Sequence, residues 1–450
     1  MFFVDTIEIP GLGNRSYLAG GPHTAVVIDP ARDIDQVIAA AARRGVRITH
    51  VVETHVHNDY VTGGPELARV TGAAHLVPAG ANVAYRRVPV SDGDRTALGD
   101  GLALRAVATP GHTPHHTAYV LERDGRAVAA FTGGSLLIGT VGRPDLVEPR
   151  LTEQLARAQH ASVRRLAAEL PAATAVLPTH GFGSFCSAGS AAGEAGTIGQ
   201  ERRTNDALLK DADTFVAELL AGLGDIPAHY VHMGPLNARG PAPVDLTPPA
   251  VADADEIARR LAEGEWVVDL RSRVAFAAGH VAGSLNFEAG AQLAGQLAWL
   301  IPWGRPVTLL AASPEQLADA QRELVRVGID RPAAAATGSP EEWVREGEHP
   351  RSFARATFAE LARAEGAVVL DVRRDSERAT GRIAGSAHIP LHQLRDRLGE
   401  VPAGTVWVHC AGGARAAIGA SLLDAAGRKV VAVDDGFDAA RAAGLVAAER

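Results

Sequence analysis

The sequence predicts an α/β protein in three parts: a first region of packed sheets with helices outside, then two copies of a smaller α/β domain. Three observations carry this. Residues 1–235 alternate short β-branched, apolar runs with few helical stretches, the C-terminal half alternates strand and helix patterns, and that half contains an internal repeat. A chain of 450 residues also exceeds a single core, at roughly 100–200 residues per domain.

In the first part, 25–28, 49–52, 75–77, 102–107, 117–121, 128–131 and 174–177 read as strands, and 34–44 and 152–170 as helices. The Pro- and Gly-rich stretch 226–249 reads as a linker, so the expected domains are 1–235, 251–345 and 355–450, with 236–250 between the first two. Asp269-Leu270-Arg271 and Gly279-His280-Val281-Ala282-Gly283-Ser284 recur, at one shared offset, as Asp371-Val372-Arg373 and Gly381-Arg382-Ile383-Ala384-Gly385-Ser386. Each copy runs helix, buried strand (266–270; 367–372), loop, second apolar strand (307–310; 406–409) and helix, which implies a mainly parallel sheet covered on both faces.

Hydrophobic residues make up 46% of the chain, and the net charge of −8, with no concentrated basic run, argues against nucleic-acid binding. No uninterrupted apolar run reaches the roughly 18 residues a membrane span needs, and Met1-Phe2-Phe3-Val4-Asp5 lacks the basic start of a signal peptide. A cytoplasmic protein is expected. Its two cysteines, Cys186 and Cys410, lie far apart, so thiol chemistry is expected of them rather than a disulfide.

Two constellations carry chemistry. Thr54-His55-Val56-His57-Asn58-Asp59-Tyr60 sets two imidazoles and a carboxylate at the end of a predicted strand, a cluster suited to a metal. Three further segments could converge on it: Thr109-Pro110-Gly111-His112-Thr113-Pro114-His115-His116, Phe131-Thr132-Gly133-Gly134-Ser135 and Leu177-Pro178-Thr179-His180-Gly181. The second constellation follows the strand 406–409. There, Cys410-Ala411-Gly412-Gly413-Ala414-Arg415 leads into a helix at 416–426, so loop N–H groups, the helix N-terminus and Arg415 all favour a thiolate.

The order THxHxD, PGHT, FTG, GRPD (Gly142-Arg143-Pro144-Asp145) and PTHG resembles the metallo-β-lactamase fold, and within it the persulfide dioxygenase branch. That resemblance implies an αββα sandwich with a mononuclear Fe(II), Zn(II) being the alternative, held by His55 and His112, with His57, Asp59 and His180 as further candidates. It also implies an aspartate ligand where this chain has Gly134, and Tyr60 stands where binuclear members carry histidine. If the missing carboxylate is the defect, Gly134→Asp should raise iron affinity. The binuclear hydrolase reading loses most by these departures. Arg143 is expected to meet a substrate carboxylate, and Cys186, in an HGxGSxC context similar to that of fused family members, either handles persulfide or is a buried structural residue. His115 and His116 are candidates for the entrance.

CxxGxR after a strand, downstream of DVR and of 381–390, resembles the rhodanese sulfurtransferases and implies Cys410 as nucleophile with Arg415 beside it. In the first copy Ala311 aligns with Cys410 and Gln316 with Arg415, so 251–345 reads as an inactive rhodanese homology domain. Together the resemblances imply a fusion enzyme of sulfide metabolism. It would oxidise a low-molecular-weight thiol persulfide with O2 and move sulfane sulfur through Cys410, with sulfite and thiosulfate as partners, no nucleic acid or membrane partner, and a homodimer. Two alternatives stay open: a sulfurtransferase with a non-catalytic first domain, and a metal-dependent thioester hydrolase.

Overall fold

The computed structural model describes residues 2–447 except 182, 190–192 and 194. Met1 and 448–450, at the ends of the first and last expected domains, and Phe182, in the stretch before Cys186, therefore lie outside the described residues. The chain forms two compact units, Met1–Asp245 with Leu324–Gly328, and Leu246–Glu323 with Ile329–Arg450.

The first unit holds two six-stranded sheets. One runs β1 (Phe3–Ile9), β2 (Asn14–Gly20), β3 (Thr24–Ile28), β4 (Arg47–Val52), β5 (Ala74–Pro78), β6 (Val88–Val90) in spatial order. The other contains β7 (Arg95–Gly99), β8 (Leu102–Ala108), β9 (Thr117–Arg123), β10 (Arg126–Gly133), β11 (Ala175–Pro178) and β12 (Gly196–Thr197), again in sequence order across the sheet. β9 explains the layering: its residues 117–122 are all buried, because alternate side chains serve two cores. Tyr119 and Leu121 join Tyr17, Ile28, Val52 and Phe131 between the sheets, whereas Ala118 and Val120 pack with Val163 and Leu166 of the helix Thr152–Glu169. On the opposite side, Val37, Ala40 and Ala41 of the helix Asp35–Arg44 cover Leu18, Val27 and Val51. The result is the expected αββα sandwich.

Within the Pro- and Gly-rich stretch read as a linker, Tyr230–Arg239 is a helix despite the internal Pro235, and it buries Tyr230, Met233 and Asn237. Burial of these side chains outweighs the unfavourable proline.

The second unit repeats one parallel topology. β14 (Leu285–Asn286), β13 (Trp266–Asp269), β15 (Val307–Ala311) and β16 (Ala334–Thr337) form the first sheet in that spatial order. β19 (Ala387–His388), β18 (Val368–Asp371), β20 (Val406–His409) and β21 (Val430–Val433) repeat the order, with β17 (Ala354–Ala356) added beyond β21. The repeated DxR motif is a structural clamp. Arg271 pairs with Asp269 and donates to the Gly279 carbonyl at 2.7 Å, and Arg373 pairs with Asp371 and donates to the Gly381 carbonyl at 2.7 Å. Among the described residues, no helix is long and apolar enough to cross a membrane.

Candidate functional site

The ends of β4, β8, β10 and β11 meet at one edge of the sandwich, and backbone bonds tie their loops together. Thr117 N–H donates to the Thr54 carbonyl at 2.8 Å, and Thr179 N–H to the Gly133 carbonyl at 3.0 Å. Beneath them lies Asp29, fully buried, whose carboxylate accepts from Thr54 N–H and Thr54 Oγ1, both at 2.7 Å, and from Thr179 Oγ1. Loops of both sheets are thus anchored on one buried carboxyl group.

The structure gathers His55, His57, Asp59, His112 and His180, all buried, into this edge. Among the described residues, three sets could hold a metal: His55, His112 and His180; His57, Asp59 and His180; and Asp29, Glu53 and His57. His57 packs its ring 4.1 Å from that of His55, but its Nε2 lies 3.2 Å from Asp29 Oδ1 and 3.3 Å from Glu53 Oε2. Burial opposes charge on His57, but the Asp29 and Glu53 carboxylates overrule it and lift its pKa to about 10. His55 and His112 behave oppositely. Burial, reinforced by neighbouring imidazoles, pushes His55 well below the usual range and His112 to about 3. Both are neutral, as metal ligation requires. For Asp59, burial would raise the pKa, but His180 and Asn14 hold it well below the ordinary carboxylate range.

Gly134 N–H donates to His116 Nε2 at 3.0 Å, so His116 fixes this backbone and has no lone pair left for a ligand; His115 is exposed. Tyr60 is fully buried, packs its ring tilted against His57 with centroids 4.4 Å apart, and donates its hydroxyl to the Asp29 carbonyl at 3.2 Å. It supplies packing where a second metal would need a histidine. Arg143 is 3% exposed, and its five N–H donors go to Asp145 twice and to the carbonyls of Phe185, Asp225 and Gly224. That leaves none for a substrate carboxylate; what Arg143 presents inward is its own carbonyl, which meets His112 Nδ1 at 2.8 Å. Cys186 is fully buried, and burial, with Asp59 nearby, pushes its thiol pKa up.

Several residues that position the site were not legible from motif spacing. Asn237, on the helix within the predicted linker stretch, donates to the carbonyls of His57 and Tyr60 at 2.8 Å each and accepts from Thr62 N–H at 3.0 Å. Gln159, on the long helix, accepts from His112 N–H at 2.6 Å and donates to the Gly134 carbonyl at 3.1 Å. Asp29, at the end of an apolar strand and before a proline, and Glu53, just before the histidine motif, did carry a sequence signal: charge where a buried strand stops.

In the second unit, β20 delivers Cys410, 2% exposed, to a loop whose Gly413 N–H points at Cys410 Sγ from 3.1 Å. Gly413 has φ 90°, a conformation that favours glycine, and the helix Ala414–Ala425 starts directly after it. Arg415 does not stand free beside the sulfur. Its two terminal nitrogens bind Glu377 Oε2 and Oε1, each at 2.6 Å. In the first copy Gln316 closes the equivalent loop, accepting from Ala312 N–H at 2.8 Å and donating to the Leu270 carbonyl at 3.2 Å. Ala311 and Gln316 leave that loop without a nucleophile or a cation. Both cysteines are free.

A two-sheet αββα sandwich with a histidine cluster at its strand ends defines the metallo-β-lactamase class of fold. The metallo-beta-lactamase superfamily model matches residues 9–180, and the rhodanese-like domain model matches 253–346 and 355–443. A solved metallo-beta-lactamase from Staphylococcus aureus is similar with TM-score 0.67 and 26% identity, over 75% of this chain and 99% of that one. The human mitochondrial persulfide dioxygenase is 29% identical over 52% of this chain and 82% of its own length. The hydroxyacylglutathione hydrolase of Cereibacter sphaeroides is 35% identical over 40% of this chain and 67% of its own. The chain belongs to the metallo-β-lactamase superfamily, with a first domain homologous to persulfide dioxygenases and two rhodanese-like domains after it. At the family level this sets it among enzymes of sulfur metabolism.

Proposed function

We propose that the chain couples oxidation of a low-molecular-weight thiol persulfide in domain 1–235 with sulfane-sulfur transfer through Cys410 in domain 355–450, while 251–345 is a non-catalytic copy. What carries the reading is the convergence of neutral, buried imidazoles in a domain homologous to persulfide dioxygenases, on the chain that also holds the Cys410 loop. The overall oxidation is RSSH + O2 + H2O → RSH + SO3²⁻ + 2H⁺. A mononuclear Fe(II) would supply the redox chemistry with O2, and His55 and His112 would be among its ligands. The protein's part is to keep these imidazoles deprotonated and oriented: Thr54 fixes His55, the Arg143 carbonyl fixes His112, and Gln159 fixes the His112 backbone.

For transfer, the Cys410 thiolate attacks the outer sulfur of RSSH. A Cys410 S–S bond forms, the substrate S–S bond breaks, and RS⁻ leaves with the electron pair. Gly413 N–H is placed to hold the sulfur, and Arg415 with Glu377 flanks the loop. Attack of sulfite on the outer sulfur would then release thiosulfate and restore the thiolate. Two unpaired cysteines support a reducing compartment, the cytoplasm.

Iron near one per chain, with persulfide-dependent O2 uptake and sulfite release, is the expected result for protein purified anaerobically. Absence of iron and uptake, with transfer still lost in Cys410→Ser, would leave the second reading: a sulfurtransferase whose first domain is a binding module, which Gly134 motivates. A thioester hydrolase is favoured by the resemblance to hydroxyacylglutathione hydrolases, but Tyr60 removes a ligand its second metal would need.

A further inference from the structure

Three imidazoles in the first domain are set in the same tautomer by different partners. The Thr54 hydroxyl donates its one proton to Asp29, so it must accept from His55 Nδ1, 2.9 Å away. His112 Nδ1 faces the Arg143 carbonyl at 2.8 Å, which only accepts. His180 Nδ1 faces Asn14 Oδ1 at 3.1 Å, and that orientation of the amide is fixed because Asn14 Nδ2 donates to Asp59 at 2.7 Å. All three rings are therefore held with hydrogen on Nδ1, which leaves Nε2 as the nitrogen each can offer a metal.

Those nitrogens converge. His55 Nε2 and His180 Nε2 are 3.2 Å apart, and His112 Nε2, fully buried, has no hydrogen-bond partner among the described residues. At that distance either a proton or a metal cation must lie between the two nitrogens, and the unpartnered His112 Nε2 favours the metal. Imidazoles about 2.0–2.1 Å from one ion in tetrahedral geometry stand roughly 3.3 Å apart, so the observed spacing fits a shared ion. Meanwhile a Cβ at Gly134 would lie 2.2 Å from His112 Cδ2 and 2.7 Å from His112 Nε2. The space a carboxylate would need is filled by the His112 ring.

We propose that this chain replaces the missing carboxylate with His180, so that its metal centre is a three-histidine face made by His55, His112 and His180. Glycine at 134 is then part of the design of the site, because it makes room for His112. Three neutral ligands leave a divalent ion its full charge, where a carboxylate would cancel one unit. The open positions consequently favour an anionic sulfur ligand, a persulfide or thiolate, over a neutral one. This deepens the metal part of the proposed function and rests on it only for the choice of substrate.

The test begins with the unmodified full chain loaded with Co(II) or Zn(II) alone, with imidazole ligands counted by X-ray absorption. A count of three is expected; a count of two overturns the proposal and requires no variant to fold. Titration of Co(II) into His180→Ala, with circular dichroism of the metal-free form as a fold control, should show affinity reduced beyond the roughly 10–100-fold typical of outer-shell partners. Unchanged affinity there also overturns it. Gly134→Asp should bind Co(II) more weakly than the parent, and tighter binding refutes the crowding argument. Three imidazoles without persulfide-dependent O2 uptake would defeat the proposed oxidation and leave the ligand set standing. Uptake with only two would do the reverse.

Discussion

Replacing Glu377 by glutamine tests how Arg415 is held beside Cys410. Glu377 accepts from both terminal nitrogens of Arg415 at 2.6 Å and from Arg374 N–H at 3.1 Å. Burial would raise its pKa, but Arg415 first and then Arg374 bring it from an ordinary 4.5 to about 2. Fully desolvated, such a difference would correspond to roughly 3 kcal/mol. The two side chains keep 23% and 18% of their exposure, so solvent screening reduces this to about 1–2 kcal/mol. Because the folded-state pKa is depressed, the stabilisation is fully present above the unfolded value near 4.5 and is lost as pH falls toward about 2. All five tryptophans, at 266, 299, 303, 343 and 407, belong to the second unit, so urea unfolding followed by tryptophan fluorescence reports on that unit alone. Glu377→Gln should lose about 1–2 kcal/mol at pH 7 and show a shallower decline of stability between pH 4.5 and 3. A change under about 0.3 kcal/mol with an unaltered acid decline would mean that the pair is only a solvated surface contact.

Other perturbations follow from the same geometry. Gln159→Ala removes bonds to the His112 N–H and to the 134–135 carbonyls, so thermal unfolding of the metal-free chain should show a loss of about 1–3 kcal/mol in the first unit. Arg271→Ala strands the fully buried Asp269 and should cost about 3–5 kcal/mol in the second unit by urea unfolding. Phe131→Ala opens a cavity between the two sheets and should cost about 3–5 kcal/mol by calorimetry, since Phe131 is fully buried. Ala311→Cys should create no sulfurtransferase activity in a Cys410→Ser background, because Gln316 closes that loop and brings no positive charge.

Much of the site was legible because local chemistry announced it. Histidine at i and i+2 after a β-branched run, and cysteine before a Gly-rich turn and a helix, are short-range patterns whose meaning depends on a few neighbours. The helix Tyr230–Arg239 was not legible: Pro235 and nearby glycines outweigh its few apolar residues in a local reading, yet tertiary burial of Met233 and Asn237 decides it. The crowding at Gly134 was not legible either, since no spacing reveals that a Cβ there would meet the His112 ring; the Co(II) titration decides between that crowding and the gain of a carboxylate.

The sequence by itself determined the strand-rich first domain, the duplicated α/β domain, the cluster of histidines at strand ends and the place of Cys410 between a strand and a Gly-rich turn. These follow from periodicity and local turn chemistry, which act over a few residues. Only the tertiary structure decided which imidazoles come within reach of one another, that His57 lies against Asp29 and Glu53, and that Arg415 is paired with Glu377. Those outcomes depend on partners tens of residues away. Ring orientation, tautomer and charge are set by which donor and acceptor the fold brings within about 3 Å, a distance that sequence separation does not encode.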